Sequence, residues 1–324
     1  MGTWLAERFG LTVPVVGAPM AGAAGGALAG AISAAGGLGM VGCGSTAPAD
    51  WVLEQRALAA AAGRPYGVGL LAWALPGRPD LLDAVLDDSV PRPALVSVSY
   101  GEYAQHVPVL HDAGVAVATQ AGTVADGVAA VDAGIDVVVA RGGEGGGHGR
   151  NLVATLPLLD AVLEAVDVPV LAAGGIGGPR GVAAALAAGA AGAWVGTAFL
   201  TCRESLLADD VVGRQAETDE TGTAYGTVFD TASAVGWPNE FGGRAVRNEF
   251  FTRWQGREAE LPADAEANAT FRAAPTSRDL SAMALYAGQG VGRLGAERPA
   301  AAEVVADLGR AGDLLRAAVT RLGS

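Results

Sequence analysis

Between residues 13 and 195, short apolar runs alternate with Ala-rich stretches, and this alternation limits the possible folds more than any other feature of the sequence. The runs at 13–18, 37–42, 66–71, 94–99, 115–119, 136–140, 169–172 and 192–195 read as buried strands. Between them, 26–35, 49–62 with Asp50 as N-cap, 80–86, 102–113, 124–133, 156–166 and 180–188 have helical composition. Strands spaced this way cannot be joined by hairpins and demand right-handed crossovers and a parallel sheet. About eight strands is the number that closes a (β/α)8 barrel, so the predicted class is α/β, a TIM barrel. An open doubly wound sheet is the alternative. Against it, the first strand lacks the GxGxxG turn and the acidic residue about twenty positions on that a dinucleotide-binding half prefers.

After Phe199 the composition changes. Residues 204–299 carry more charge, more turn residues and the aromatics Trp237, Phe241, Phe250, Phe251, Trp254 and Phe271. We read 1–203 as the barrel and 204–299 as a second, mostly helical domain covering its C-terminal face. The stretch 300–324, with an amphipathic helix at 300–322, returns to the barrel wall. A chain of 324 residues is long enough for this arrangement.

Composition excludes several chemistries. All 21 basic residues are arginines, since the sequence has no lysine, and the net charge is −13. Schiff-base aldolases, pyridoxal-phosphate enzymes and P-loop NTPases each need a lysine at the reacting or phosphate-holding position. So acidic a chain is not expected to bind nucleic acid. Cys43 and Cys202 belong to no CxxC pair and signal neither disulfide nor zinc site. His106 and His111 are five apart and do not share a helix face. Glu7 and Arg8 interrupt any leader-peptide core, and Ala6 stands where a myristoylation motif has Ser or Thr. The uncharged stretch 11–49 is cut by Pro14, Pro19 and glycines, so no membrane span is expected and the location is read as cytoplasmic. A homodimer is compatible with the sequence, which does not fix the oligomeric state.

Two glycine-rich stretches carry the functional signal. Arg141-Gly142-Gly143-Glu144-Gly145-Gly146-Gly147-His148-Gly149-Arg150 follows the strand at 136–140. Bare backbone there can lie against a flat ligand, with one imidazole at the loop's end as an acid/base group. Ala173-Gly174-Gly175-Ile176-Gly177-Gly178-Pro179 follows the seventh strand, with Pro179 suited to a first helical position. Its N–H groups and the helix start form an anion site without lysine, and Gly196-Thr197 after the eighth strand adds more. In (β/α)8 barrels a phosphate frequently sits between these last two loops.

These pieces resemble the nitronate monooxygenases, once called 2-nitropropane dioxygenases, which are FMN-dependent barrels. The matching stretches are Ala18-Pro19-Met20, Gly142 to His148, Ala173-Gly174-Gly175-Ile176, Gly196-Thr197-Ala198-Phe199, Arg203-Glu204-Ser205, Arg244 through Arg247-Asn248, and Ala287-Gly288-Gln289-Gly290. The resemblance implies FMN, with Ala18, Pro19 and Met20 along the flavin and Gly174, Gly175, Gly196 and Thr197 at its phosphate. It makes His148 the catalytic base, and Gly69, Arg141, Gly146, Gly147 and Ala173 complete the expected cofactor site. Gly69, Ser99 and Arg141 depart from the usual Asn, His and Gln of the family. Arg141 either lies near the flavin or points outward to pair with Glu144. The implied activity is oxidation of a small anionic nitro or nitronate substrate with oxygen, giving a carbonyl product and oxidised nitrogen. Arg203, Arg244 and Arg247 are the candidate partners of that anion. FMN-dependent NAD(P)H reductases of the enoyl or quinone reductase type share the barrel and a similar loop and are the closest alternative. A flavin-free isomerase or lyase and a non-catalytic flavin-binding protein are more distant ones.

Overall fold

The computed structural model describes residues 2–322. Its strands through residue 195 are β1 (Val15–Gly17), β2 (Leu38–Gly42), β3 (Gly67–Leu71), β4 (Leu95–Ser99), β5 (Ala116–Ala121), β6 (Val137–Arg141), the two-residue β7 (Gly147–His148), β8 (Val170–Ala173) and β9 (Gly192–Val195). All but β7 form one closed barrel of parallel strands in chain order. Closure comes from β9 returning to β1, with Val16 opposite Trp194. An open sheet is thereby ruled out.

Alternation of side chains explains why the strands read as continuous apolar runs. Val137 and Val139 point into the barrel with Leu38, Met40, Leu95 and Leu171. Val138 and Ala140 point outward among Leu110, Ala130, Leu158 and Val162 of the surrounding helices. Both faces are dry, as a parallel barrel requires. The helix Trp4–Phe9, which periodicity did not reveal, drives Leu5 and Phe9 into the interior cluster. It is capped by Thr3, whose hydroxyl accepts from the Ala6 amide at 3.3 Å.

Some local expectations shift. Pro48, not Asp50, occupies the cap of the helix Ala49–Ala60, and Asp50 lies in its first turn. A carboxylate there still favours the unpaired N–H groups. The expected helix at 102–113 divides into a 3-10 turn, Ala104–His106, and the helix Val107–Asp112. The C-terminal segment is two helices, Ala301–Gly309 and Ala311–Leu322. Val305, Leu308 and Ala311 pack with Leu28, Ile32 and Val182 on the barrel wall. Residues 323 and 324 lie outside the described residues.

The segment after β9 contains the helices Asp209–Ala216, Val228–Ser233, Glu249–Trp254 and Ala265–Ser277. Phe229, Phe250, Phe251, Trp254 and Phe271 form an aromatic core of its own. Within this segment lies a small sheet that the sequence did not reveal. The strands β10 (Thr223–Gly226) and β11 (Gly243–Val246) pair antiparallel, and β11 then pairs with β7, setting Gly243 opposite His148. This segment is therefore hydrogen-bonded directly to the glycine-rich loop.

Glycine keeps the helices close to the barrel. A Cβ on Gly39 of β2 would come within 2.6 Å of the Ala29 backbone in the helix Gly26–Ala34. Backbone cannot move aside as a side chain does, so Gly39→Ala should lower stability by about 1–3 kcal/mol. The expected result is a lower urea midpoint at an unchanged m-value; an unchanged midpoint would contradict this packing.

Candidate active site

A cavity of about 440 Å³ opens at the C-terminal ends of the strands, within the size range of cofactor sites. It brings together the residues expected at the cofactor and the base: Ala18, Pro19, Met20, Gly69, Arg141, Gly146, Gly147, His148, Ala173, Gly174, Gly175, Gly196 and Thr197 all border it. Gly69 has a packing reason, since a Cβ there would overlap the Pro19 ring. Ser97, Ser99 and Gln120 border the cavity at the barrel mouth and supply neutral polar groups, with the two serine Oγ atoms 3.2 Å apart. Cys43 borders it too, but burial pushes its thiol up to about 12, so it offers no thiolate near neutral pH.

Arg141 borders the cavity but does not pair outward with Glu144. It is 5% exposed, and its guanidinium turns back under its own loop. Nη2 donates to the carbonyls of Gly145, Gly146 and Gly147 at 2.8, 3.1 and 2.9 Å. Glu144 instead accepts from the Thr155 amide at 2.9 Å and the Thr155 hydroxyl at 2.7 Å. Desolvation lowers the Arg141 pKa from the ordinary arginine value. From the other side, Arg244 donates to Gly143 O at 2.8 Å and to Asn151 Oδ1 at 3.1 Å. The Tyr225 hydroxyl donates to Gly149 O at 2.9 Å. The loop is rich in glycine yet tied at nearly every carbonyl.

At the opposite corner, Gly174 and Gly175 have φ of +106° and +66°. A Cβ at Gly174 would also lie 2.7 Å from Thr155 Oγ1, so both conformation and space require glycine. Pro179 opens the helix Pro179–Ala187 as expected. Gly196 and Thr197 face the same corner of the cavity, and the Thr197 hydroxyl accepts from the Gly288 amide at 3.0 Å. Arg293 donates from Nε to Gly177 O at 3.1 Å, adding a cation beside the helix start. An anion can be held here by backbone N–H groups, the helix dipole and that nearby charge.

His148 is embedded in groups that sequence reasoning did not find. Its Nε2 lies 2.7 Å from Asp230 Oδ1, with the two side chains 9% and 10% exposed. Its ring stacks on Trp237 at 3.5 Å and 3°, and Tyr286 lies 5.1 Å away. Tyr100 donates to the His148 carbonyl at 3.1 Å from a left-handed backbone, φ +69°, which is strained for a tyrosine. Burial raises the pKa values of Tyr100 and Tyr286. Asp230 lies 82 residues from His148 and belongs to no motif, so no local signal marked it.

The arginines proposed to hold an anion are elsewhere. Arg203 is exposed and 3.7 Å from Glu204, Arg244 ties the loop, and Arg247 is exposed. None of the three borders the cavity. The wall contributed by residues 204–299 includes Leu207, Val211, Gln215, Trp237, Met283, Leu285 and Tyr286 and contains no arginine or carboxylate.

Comparison with known proteins agrees with this geometry. The family model for nitronate monooxygenase matches residues 3–310. The chain belongs to the nitronate monooxygenase family. A nitronate monooxygenase from Neurospora crassa is 31% identical over 88% of this chain and 85% of its own length. Two carboxyl-CoA dehydrogenases with a methyl-oxo-octahydroindene substrate name, from Rhodococcus jostii and Mycobacterium tuberculosis, are 37% and 35% identical. These matches cover 64% and 70% of this chain, and the chain spans only 58% and 64% of those relatives. Among solved structures, FabK from Thermotoga maritima aligns over 99% of this chain and 98% of its own, with TM-score 0.83 and 27% identity. A nitroalkane oxidase from Streptomyces ansochromogenes aligns over 97% of this chain and 99% of its own, with TM-score 0.80 and 30% identity. No helix among the described residues is long and apolar enough to cross a membrane.

Within this family member, Arg141 is expected to act as a fastener. Arg141→Met removes the donors from three loop carbonyls, at a cost of about 1–3 kcal/mol for each buried group left unpaired. Hydrogen exchange at the amides of residues 143–149 should accelerate while that of β2 and β4 stays slow. Unchanged exchange in the loop would contradict the assignment.

Proposed function

We propose that this chain is an FMN-dependent oxidase of alkyl nitronates and nitroalkanes that uses molecular oxygen. The single observation that carries the reading is the His148–Asp230 pair at the edge of a cavity with a glycine-backed wall and an anion-holding corner. The family is flavin-dependent. The residues present fit FMN. Bare backbone at Gly146 and Gly147 suits a flat ring, Ser97, Ser99 and Gln120 suit its polar edge, and the Gly174–Gly175 and Gly196–Thr197 corner suits one phosphate. Ala18, Pro19, Met20, Gly69 and Ala173 would pack along the ring. Arg141 would act through the loop it fastens. The division into a barrel of 1–203 completed by 300–324 and a cover of 204–299, and the cytoplasmic location, belong to the same proposal.

Electron passage from substrate to oxygen is the chemistry FMN supplies when bound. The protein has three tasks around it. His148 removes the proton from the carbon beside a nitro group, whose electron pair stays on the substrate as the nitronate. The Trp237, Tyr100 and Tyr286 rings keep water from the reacting carbon. The cover wall receives the alkyl chain.

A reductase acting on an acyl chain with NAD(P)H is the second reading, favoured by that apolar wall and by the likeness to FabK. A pyridine nucleotide needs cations for its phosphates outside the FMN site, and the cover wall has none. The same absence bears on the substrate's charge: a second anionic group would meet no partner there.

Three outcomes test the proposal. Mass spectrometry of the cofactor released by heat should find FMN; FAD would contradict the single phosphate site. Oxygen consumption with an alkyl nitronate should yield the carbonyl product, and propionate 3-nitronate should have a kcat/KM at least about 10-fold lower, since an unpaired buried carboxylate costs several kcal/mol. Equal rates would place a cation in the substrate path. His148→Ala should keep the flavin and lose roughly 10²–10⁴-fold on neutral nitroalkanes, with a smaller loss on preformed nitronates; equal rates of wild type and variant on the neutral form would remove His148 from the mechanism.

A further inference from the structure

We infer that Asp230 fixes His148 as the Nε2–H tautomer and so makes Nδ1 the atom that takes the substrate proton. The inference rests on His148 acting as the base in the proposed function, but its geometry stands apart from that role. Asp230 Oδ1 is 2.7 Å from Nε2, both side chains are about nine-tenths buried, and a carboxylate can only accept in that bond. Nε2 must therefore carry a proton in the neutral ring. The tautomer of a histidine follows from the hydrogen bond made by its other nitrogen.

The opposite edge of the ring is free. Among the described residues nothing bonds to Nδ1, whereas the Nε2 edge is closed by Asp230 and by Gly243, where a Cβ would lie 3.5 Å from Nε2. His148 borders the cavity and Asp230 does not, so the Nε2 edge is the one turned away from substrate. Rotation of the ring is blocked on its face by Trp237, in parallel contact at 3.5 Å. The His148 backbone is held by Tyr100 and by pairing with Gly243.

The step balances without a further reactant. The C–H bond beside the nitro group breaks, its electron pair stays on the nitronate, and the proton bonds to Nδ1. The resulting imidazolium lies between the Asp230 carboxylate and the Trp237 face, both of which stabilise positive charge. Asp230 is thus a positioning residue that acts through His148. The other ionisable groups packed around the ring are Tyr286, whose ring lies 5.1 Å away, and Tyr100, bonded to the His148 carbonyl. Arg141 donates to the carbonyls of Gly145, Gly146 and Gly147 and makes no bond to the ring.

Asp230→Asn tests the inference with little change in shape. The Asn amide would donate to Nε2, moving the ring proton to Nδ1 and taking the lone pair out of the cavity. The measurement is ¹⁵N–¹H correlation of the imidazole rings in FMN-loaded, histidine-labelled protein at a pH where the rings are neutral. The chain has 3 histidines, and His148→Ala identifies the signal. The wild type should show Nε2–H and Asp230→Asn should show Nδ1–H. Turnover of a neutral nitroalkane should fall about 10²–10⁴-fold, that of the preformed nitronate should stay nearly unchanged, and Asp230→Glu should restore the Nε2–H form. A wild-type Nδ1–H tautomer, an unmoved tautomer in Asp230→Asn, or an equal loss on both substrate forms would overturn it. Absence of nitroalkane turnover in the wild type would instead overturn the proposed function, leaving the tautomer result to decide the role of Asp230.

Discussion

The site depends on one buried guanidinium. Arg141 sits at the end of β6, inside the rim of the barrel, and spends its donors on three consecutive carbonyls of the loop it introduces. A glycine-rich loop left to itself would sample many conformations, and ordering each residue costs about 1–2 kcal/mol. Charge-assisted bonds to a cation out of water offset part of that. They also explain two of the glycines: a Cβ on Gly145 would lie 3.1 Å from the Arg141 guanidinium carbon, and one on Gly149 only 2.6 Å from it. The loop is glycine-rich partly to admit the side chain that holds it.

The same loop joins the barrel to the segment after β9. Through β7 it becomes the edge of the β10–β11 sheet, and Arg244 on β11 bonds back to Gly143. Trp237 and Phe241, unlike the aromatic core of Phe229, Phe250, Phe251, Trp254 and Phe271, meet Tyr100 of the barrel at 5.4 Å each. Arg150 carries its guanidinium over Phe241 at 4.9 Å while paired with Asp126. The orientation of His148 is consequently set by parts of the chain far apart in sequence. Changes in the segment after β9 should reach the imidazole through backbone pairing and ring stacking.

Much of this was legible in the sequence, for identifiable reasons. The eight barrel strands stood out because burial on both faces makes each a continuous apolar run. The glycines of the two loops bordering the cavity stood out because glycine at a strand end answers a demand of the backbone, whereas Ala18, Pro19, Met20, Gly69, Arg141 and Ala173 were expected only through the family resemblance. β7, β10 and β11 are too short and too rich in glycine to carry a period. Asp230 could not be paired with His148 because contact between distant segments leaves no local pattern. Arg203, Arg244 and Arg247 were misplaced for a related reason. Charge says that a guanidinium needs acceptors, and Arg244 found its own in Gly143 O and Asn151 Oδ1.

The central claim is that electrons enter this site from a nitronate. Rapid mixing of the FMN-loaded protein without oxygen, first with an alkyl nitronate and then separately with NADH and NADPH, tests it most directly. The account predicts fast loss of the oxidised flavin absorbance with the nitronate and little change with either coenzyme. Fast bleaching by NADH or NADPH with none by the nitronate would contradict it.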